Sequence, residues 1–141
     1  MTASQSVFRM TLASNPKNIG RVEGFIKKVD TVIHFDEIQL HKLMISLTEA
    51  VNNAIIHGNK SNPEKKVTVK CEILPGWVLF LIADQGSGFR LEHVKNPLEQ
   101  ENLMRENGRG VFLMRTLMDK VEFEQGAEGM EIRLWLDTQK G

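Results

Sequence analysis

Residues 66–83 read KVTVKCEILPGWVLFLIA. Lys66 to Ile73 reads as a strand, Pro75-Gly76 as a turn and Trp77 to Ala83 as a second strand, the order of a β-hairpin. Strands joined by so short a turn pair antiparallel. Nearer the N-terminus, Val7, Arg9 and Thr11 alternate with Phe8, Met10 and Leu12, the period-2 signature of another half-buried strand. Past the hairpin, Val121 to Glu124 and Met130 to Leu136 read as two more strands joined by a Gly-containing turn.

Helical spacing fills the gaps between these strands. Asn15-Pro16 is a start signal for a helix carrying Ile19, Val22, Phe25, Ile26 and Val29 and ending near Asp30. Asp36, with Gln39 three residues on as a capping-box partner, opens a second helix whose apolar positions are Leu40, Leu43, Met44, Leu47, Val51 and Ala54, and Gly58 is expected to stop it. Val111 to Met118 reads as a short third helix. The order strand, two helices, two strands, loop, helix, two strands predicts an α+β fold: a two-layer sandwich whose mixed, mostly antiparallel sheet carries helices on one face. Residues 1–141 are expected to form a single domain, with a polar loop over 89–107.

Composition excludes several classes of function. Eighteen Lys+Arg balance eighteen Asp+Glu, so no basic excess drives a grip on nucleic-acid phosphates. The longest apolar run, Trp77 to Ala83, falls far short of the roughly 20 residues a membrane-spanning helix needs. A lone cysteine, Cys71, forms no intramolecular disulfide, and the first fourteen residues lack a signal-peptide pattern. A cytoplasmic protein that binds neither DNA nor membrane is the expectation.

Three segments carry candidate chemistry. Glu49 and Asn53 are one helical turn apart, opposite the stripe Leu40, Leu43, Leu47 and Val51, with Ile45 and Ile56 near their face as if it were covered. A covered carboxylate and amide need partners, and Mg²⁺ with phosphate would supply them. Asp84-Gln85-Gly86-Ser87-Gly88 follows directly on a strand, where glycines allow close backbone approach to a ligand. Gly108-Arg109-Gly110 opens a helix, whose free N–H groups and dipole suit an anion. No GxxxxGK[ST] occurs, so a P-loop is excluded.

LTEAVNNAIIHG, DQGSGF and NGRGVFLMRTLMD, in this order and spacing, resemble the N, G1 and G2 boxes of the GHKL ATPases of the Bergerat fold, and within them the small RsbW-like anti-sigma-factor serine kinases. The resemblance runs from the first strand to the last. It implies ATP and Mg²⁺ as cofactors, a STAS-domain antagonist protein as substrate, a sigma factor as second partner, and a homodimer, for which the half-polar first strand offers an edge. It also implies that Glu49 orients the acceptor hydroxyl as general base and that Asn53 ligates Mg²⁺. Asp84 would bind the adenine amino group with Gly86 and Gly88 giving the base room, and Gly108 and Gly110 would close over the phosphates. Residues 89–107 would be the ATP lid, ordering on nucleotide. Arg105 and Arg109 are added as candidate phosphate contacts. Where the family often has Gly-Thr before the last strand, this chain has Gly129-Met130, so a hydroxyl contact near the adenine is expected to be missing. A non-catalytic ATP-binding module that sequesters a partner is the alternative, and a detached histidine-kinase catalytic domain a third reading.

Other residues have plainer readings. His34, His41, His57 and His93 share no metal spacing, and His57 at a helix end is expected to cap or pack. Phe112, Met114 and Met118 are expected to pack in the core, and Cys71 to be buried and inert. Arg21, on the first helix, is a candidate contact for a protein partner.

Overall fold

A computed structural model describes residues 6–86, 108–126 and 128–139. Strand β1 (Ser6–Ala13) leads through a 3-10 turn at Pro16–Gly20 into helix α1 (Arg21–Ile33) and then α2 (Glu37–Asn52). A π-helical turn, Asn53–Gly58, extends α2 before the hairpin of β2 (Lys66–Leu74) and β3 (Trp77–Ala83). Helix α3 (Gly108–Leu117), β4 (Lys120–Gln125) and β5 (Met130–Asp137) complete the order. The strands lie β1-β2-β3-β5-β4, and all four neighbouring pairs are antiparallel. The sheet is thus wholly antiparallel among the described residues.

Register explains the core. Phe8, Met10 and Leu12 stand beside Cys71, Val69 and Val67, and Val78, Phe80 and Ile82 stand beside Leu136, Leu134 and Ile132. That face meets Val22, Phe25, Ile26 and Val29 of α1 and Leu43, Leu47 and Val51 of α2 in one continuous cluster. Phe25 packs edge-on against Phe80 at 6.3 Å between ring centroids, joining α1 to the central strand. The opposite sheet face carries Trp77 edge-on to Trp135, and Trp135 Nε1 donates to Glu122 at 2.8 Å. β1 is an edge strand.

Local signals set the helix ends, with three departures from expectation. The capping box forms: Gln39 N donates to Asp36 Oδ1 at 2.7 Å, and Asp36 N donates to Gln39 Oε1 at 3.0 Å. α1 runs on to Ile33 rather than ending near Asp30, because His34 takes a left-handed conformation (φ 60°) and its N–H closes on the Asp30 carbonyl. α2 with its extension ends at Gly58 as expected, but the last turn widens: Asn59 N donates five residues back to the Ala54 carbonyl at 2.8 Å. α3 begins at Gly108, so Gly108-Arg109-Gly110 is its first turn rather than its approach. Met114 and Met118 are buried as expected, whereas Phe112 is 68% exposed, since it points off the face that holds Met114. Cys71 is fully buried, and that burial pushes its thiol up to about 12. Among the described residues no helix is long and apolar enough to cross a membrane.

Candidate functional site

Asp84 is the first residue past β3, only 8% exposed, and its surroundings are built from glycine. Its Oδ1 accepts from Met130 N and from Gly86 N, each at 3.0 Å, while its own N–H donates to the Met130 carbonyl at 3.0 Å. Nothing among the described residues donates to Oδ2. A Cβ on Gly58 would lie 2.6 Å from Asp84 Cγ, one on Gly129 would overlap the Asp84 backbone carbonyl, and one on Gly86 would overlap the Gly58 carbonyl. Gly58 and Gly129 therefore close on Asp84, and Gly86 closes on Gly58, at distances only glycine permits. Burial pushes the Asp84 carboxyl above the ordinary carboxylate range, against the lowering pull of the Met130 and Gly86 N–H groups and the nearby Lys65 charge.

The second half of the site lies on α2. Glu49, half-buried, and Asn53, buried, both face the first turn of α3: a Cβ on Gly110 would sit 2.7 Å from Glu49 Oε2 and 3.7 Å from Asn53 Nδ2. The face is covered, as Ile45 and Ile56 near it suggested, and Gly110 in the first turn of α3 lies over it. Ile45 is half-buried and Ile56 is 36% exposed. Neither the Glu49 carboxylate nor the Asn53 amide has a hydrogen-bond partner among the described residues. The π-helical turn joins the two halves, since it starts at Asn53 and ends at Gly58 beside Asp84.

The structure brings Asp84, Gly86 and Met130 together in one group and Glu49, Asn53 and Gly110 in another. Gly108 and Arg109 share the first turn of α3, with Arg109 exposed. Gly88, Arg105 and the expected lid 89–107 lie outside the described residues. Met130 does stand against the key carboxylate, and it is the backbone N–H that makes the contact. Gly58 and Gly129 were not singled out as site residues, because their role is a contact with a residue distant in sequence; the local hint was that Gly58 closes the LTEAVNNAIIHG stretch and Gly129 precedes Met130.

The donor set fits a magnesium nucleotide. It offers an unpartnered carboxylate oxygen for an N–H donor at one end, and an amide and a carboxylate under a helix N-terminus at the other. Residues 12–136 match the family model described as histidine kinase-like ATPase domain. The chain belongs to that family. The anti-sigma F factor of Bacillus subtilis is 33% identical to this histidine kinase-like ATPase domain over 95% of this chain and 84% of its own. The serine-protein kinase RsbW of Oceanobacillus iheyensis is 28% identical over 80% of this chain and 75% of its own. A crystal structure of the RsbU and RsbW domains of Rv1364c from Mycobacterium tuberculosis shares the fold at a TM-score of 0.69 and 16% identity, covering 94% of this chain and 32% of that longer one.

Proposed function

We propose that this histidine kinase-like ATPase domain is an ATP-dependent serine kinase and anti-sigma factor that phosphorylates a STAS-domain antagonist and regulates a sigma factor. One observation carries the nucleotide part: the buried Asp84 carboxylate, walled by Gly58, Gly86 and Gly129, keeps Oδ2 without a donor. An adenine amino group is a donor of the right kind, and Asp84 would hold it. Asn53 would hold Mg²⁺ through its amide oxygen, and the N–H groups of Gly108, Arg109 and Gly110 would face the phosphates. Bound Mg-ATP supplies the phosphoryl group and the neutralising charge. Glu49 accepts the proton of the acceptor serine hydroxyl as its oxygen bonds to the γ-phosphorus and the bond to the ADP oxygen breaks.

The names of the relatives support the kinase and anti-sigma parts. Arg21 lines a cleft of about 570 Å³ with Arg9 and Lys28, a basic surface suited to an acidic patch on a protein partner. Pairing of two copies along the β1 edge and a cytoplasmic setting belong to the same proposal.

Incubation of the chain with Mg-ATP and a candidate STAS protein, read by phosphoserine mass spectrometry, tests this reading. Glu49→Ala is expected to keep ATP binding and lose transfer, and Asp84→Ala to lose ATP binding. Transfer that persists without Glu49 would remove it from the mechanism. A partner held in a nucleotide-dependent way with no phosphate moved would make the chain a sequestering module instead.

A further inference from the structure

Asn59 makes more structural connections than any motif residue of the site, yet it lies just outside the motifs. It is 1% exposed and follows Gly58 at the end of the π-helical turn. Its Nδ2 donates to Ser14 Oγ at 2.7 Å and to the Lys66 carbonyl at 3.0 Å, and its Oδ1 accepts from Gln85 N at 2.8 Å. Both ends of the amide are used, so its orientation is fixed. The partners are themselves fixed: Ser14 Oγ donates to the Lys65 carbonyl at 2.8 Å, and Lys66 N donates to Gln85 Oε1 at 2.7 Å. One side chain thus ties the end of β1, the start of β2 and the chain leaving β3 to the end of the α2 extension.

We propose that Asn59 is a positioning residue for base recognition, fixing the Asp84-Gln85-Gly86 segment against Gly58 so that Asp84 Oδ2 faces the ligand. The geometry requires such an anchor. Gly58 and Gly86 meet backbone to backbone, a contact that offers no side chain to grip, and Gln85 is the residue between Asp84 and Gly86. Holding Gln85 N holds both neighbours. The inference rests on the adenine-nucleotide reading of the site.

The test is the ratio of affinities for Mg-ATP and Mg-ITP, measured by calorimetry on the wild-type chain, Asn59→Ala, Asn59→Ser and Gln85→Ala. ITP has a carbonyl oxygen where ATP has the amino group, so it presents an acceptor to Asp84. A purely structural defect lowers the folded fraction and weakens both nucleotides alike, leaving the ratio untouched. Asn59→Ala is expected to narrow the wild-type preference for ATP by about tenfold. Gln85→Ala keeps the backbone N–H that Asn59 holds, so it is expected to leave the ratio near the wild-type value, and a change there as large as in the Asn59 variants overturns the role of Asn59. Asn59→Ser, which keeps a hydroxyl for the buried partners but shortens the side chain, is expected to narrow the preference and serves if Asn59→Ala does not fold. A wild-type chain without preference for ATP overturns the site reading and this proposal with it. Clear wild-type preference with an unchanged ratio in the folded Asn59 variants overturns the role of Asn59 alone.

Discussion

Asp84 pays for its position with water: burial raises its carboxyl pKa, and the two N–H groups on Oδ1 only partly offset that. Because the folded value is raised, the folded chain binds this proton more tightly than the unfolded one. Ligand-free stability attributable to Asp84 therefore grows as pH falls from neutral through the raised value toward the ordinary carboxylate range near about 4. Affinity for an amino-group donor runs the other way, since a protonated Oδ2 no longer accepts freely. Calorimetric titration with Mg-ATP from neutral pH down to the ordinary carboxylate range near about 4 is expected to show binding weakening on acidification. Binding unchanged down to that range would place Asp84 outside the base site. Subtracting an Asp84→Asn denaturation series from the wild-type one isolates its stability term, because Glu122, lowered by the Trp135 N–H, contributes the opposite slope. At this scale residue type, spacing and the family resemblance singled out Asp84, Glu49 and Asn53, which the structure places at the two halves of the candidate site. They were silent on Gly58, Gly129 and Asn59, whose roles arise only when segments from distant parts of the chain meet.

At the scale of elements, what could be read in advance followed local physics. The hairpin, the alternation in β1 and the capping box of α2 depend on neighbours within a few residues, and each forms as read. The π-helical turn was not legible, because it depends on packing. Gly108-Arg109-Gly110 opens α3 as expected, but from within its first turn, which lies on Glu49 where only a glycine fits at position 110. α2 also carries a cost. Ser46 is fully buried and its hydroxyl has no hydrogen-bond partner among the described residues. Ser46→Ala removes that orphan and improves helix propensity, so urea denaturation is expected to show a gain of about 1 kcal/mol with nucleotide affinity unchanged. A loss of stability would mean that the hydroxyl has a bonded role.

Over the whole molecule, the site is assembled from the ends of elements: the close of α2, the exit of β3, the entry of β5 and the first turn of α3. A ligand that binds all four links the helical layer to the sheet. Thermal unfolding in Mg-ATP at about one hundred times its Kd is expected to gain about 2.7 kcal/mol, roughly 6–11 °C in Tm, and Asp84→Ala to lose the gain. An equal rise in the variant would assign the effect to ions. The π-helical turn also gives the chain a rule about length. Between Asn53 and Gly58 the backbone carries one residue more than regular winding needs. Removing any one of the four between them would let the segment wind as regular α-helix while Gly58 keeps nearly its present bearing, because the widened turn absorbs the extra residue. A residue lost upstream in α2 has no such slack and would turn Glu49 and Asn53 relative to Gly58, so differences in length between related chains are expected at this turn rather than earlier in the helix.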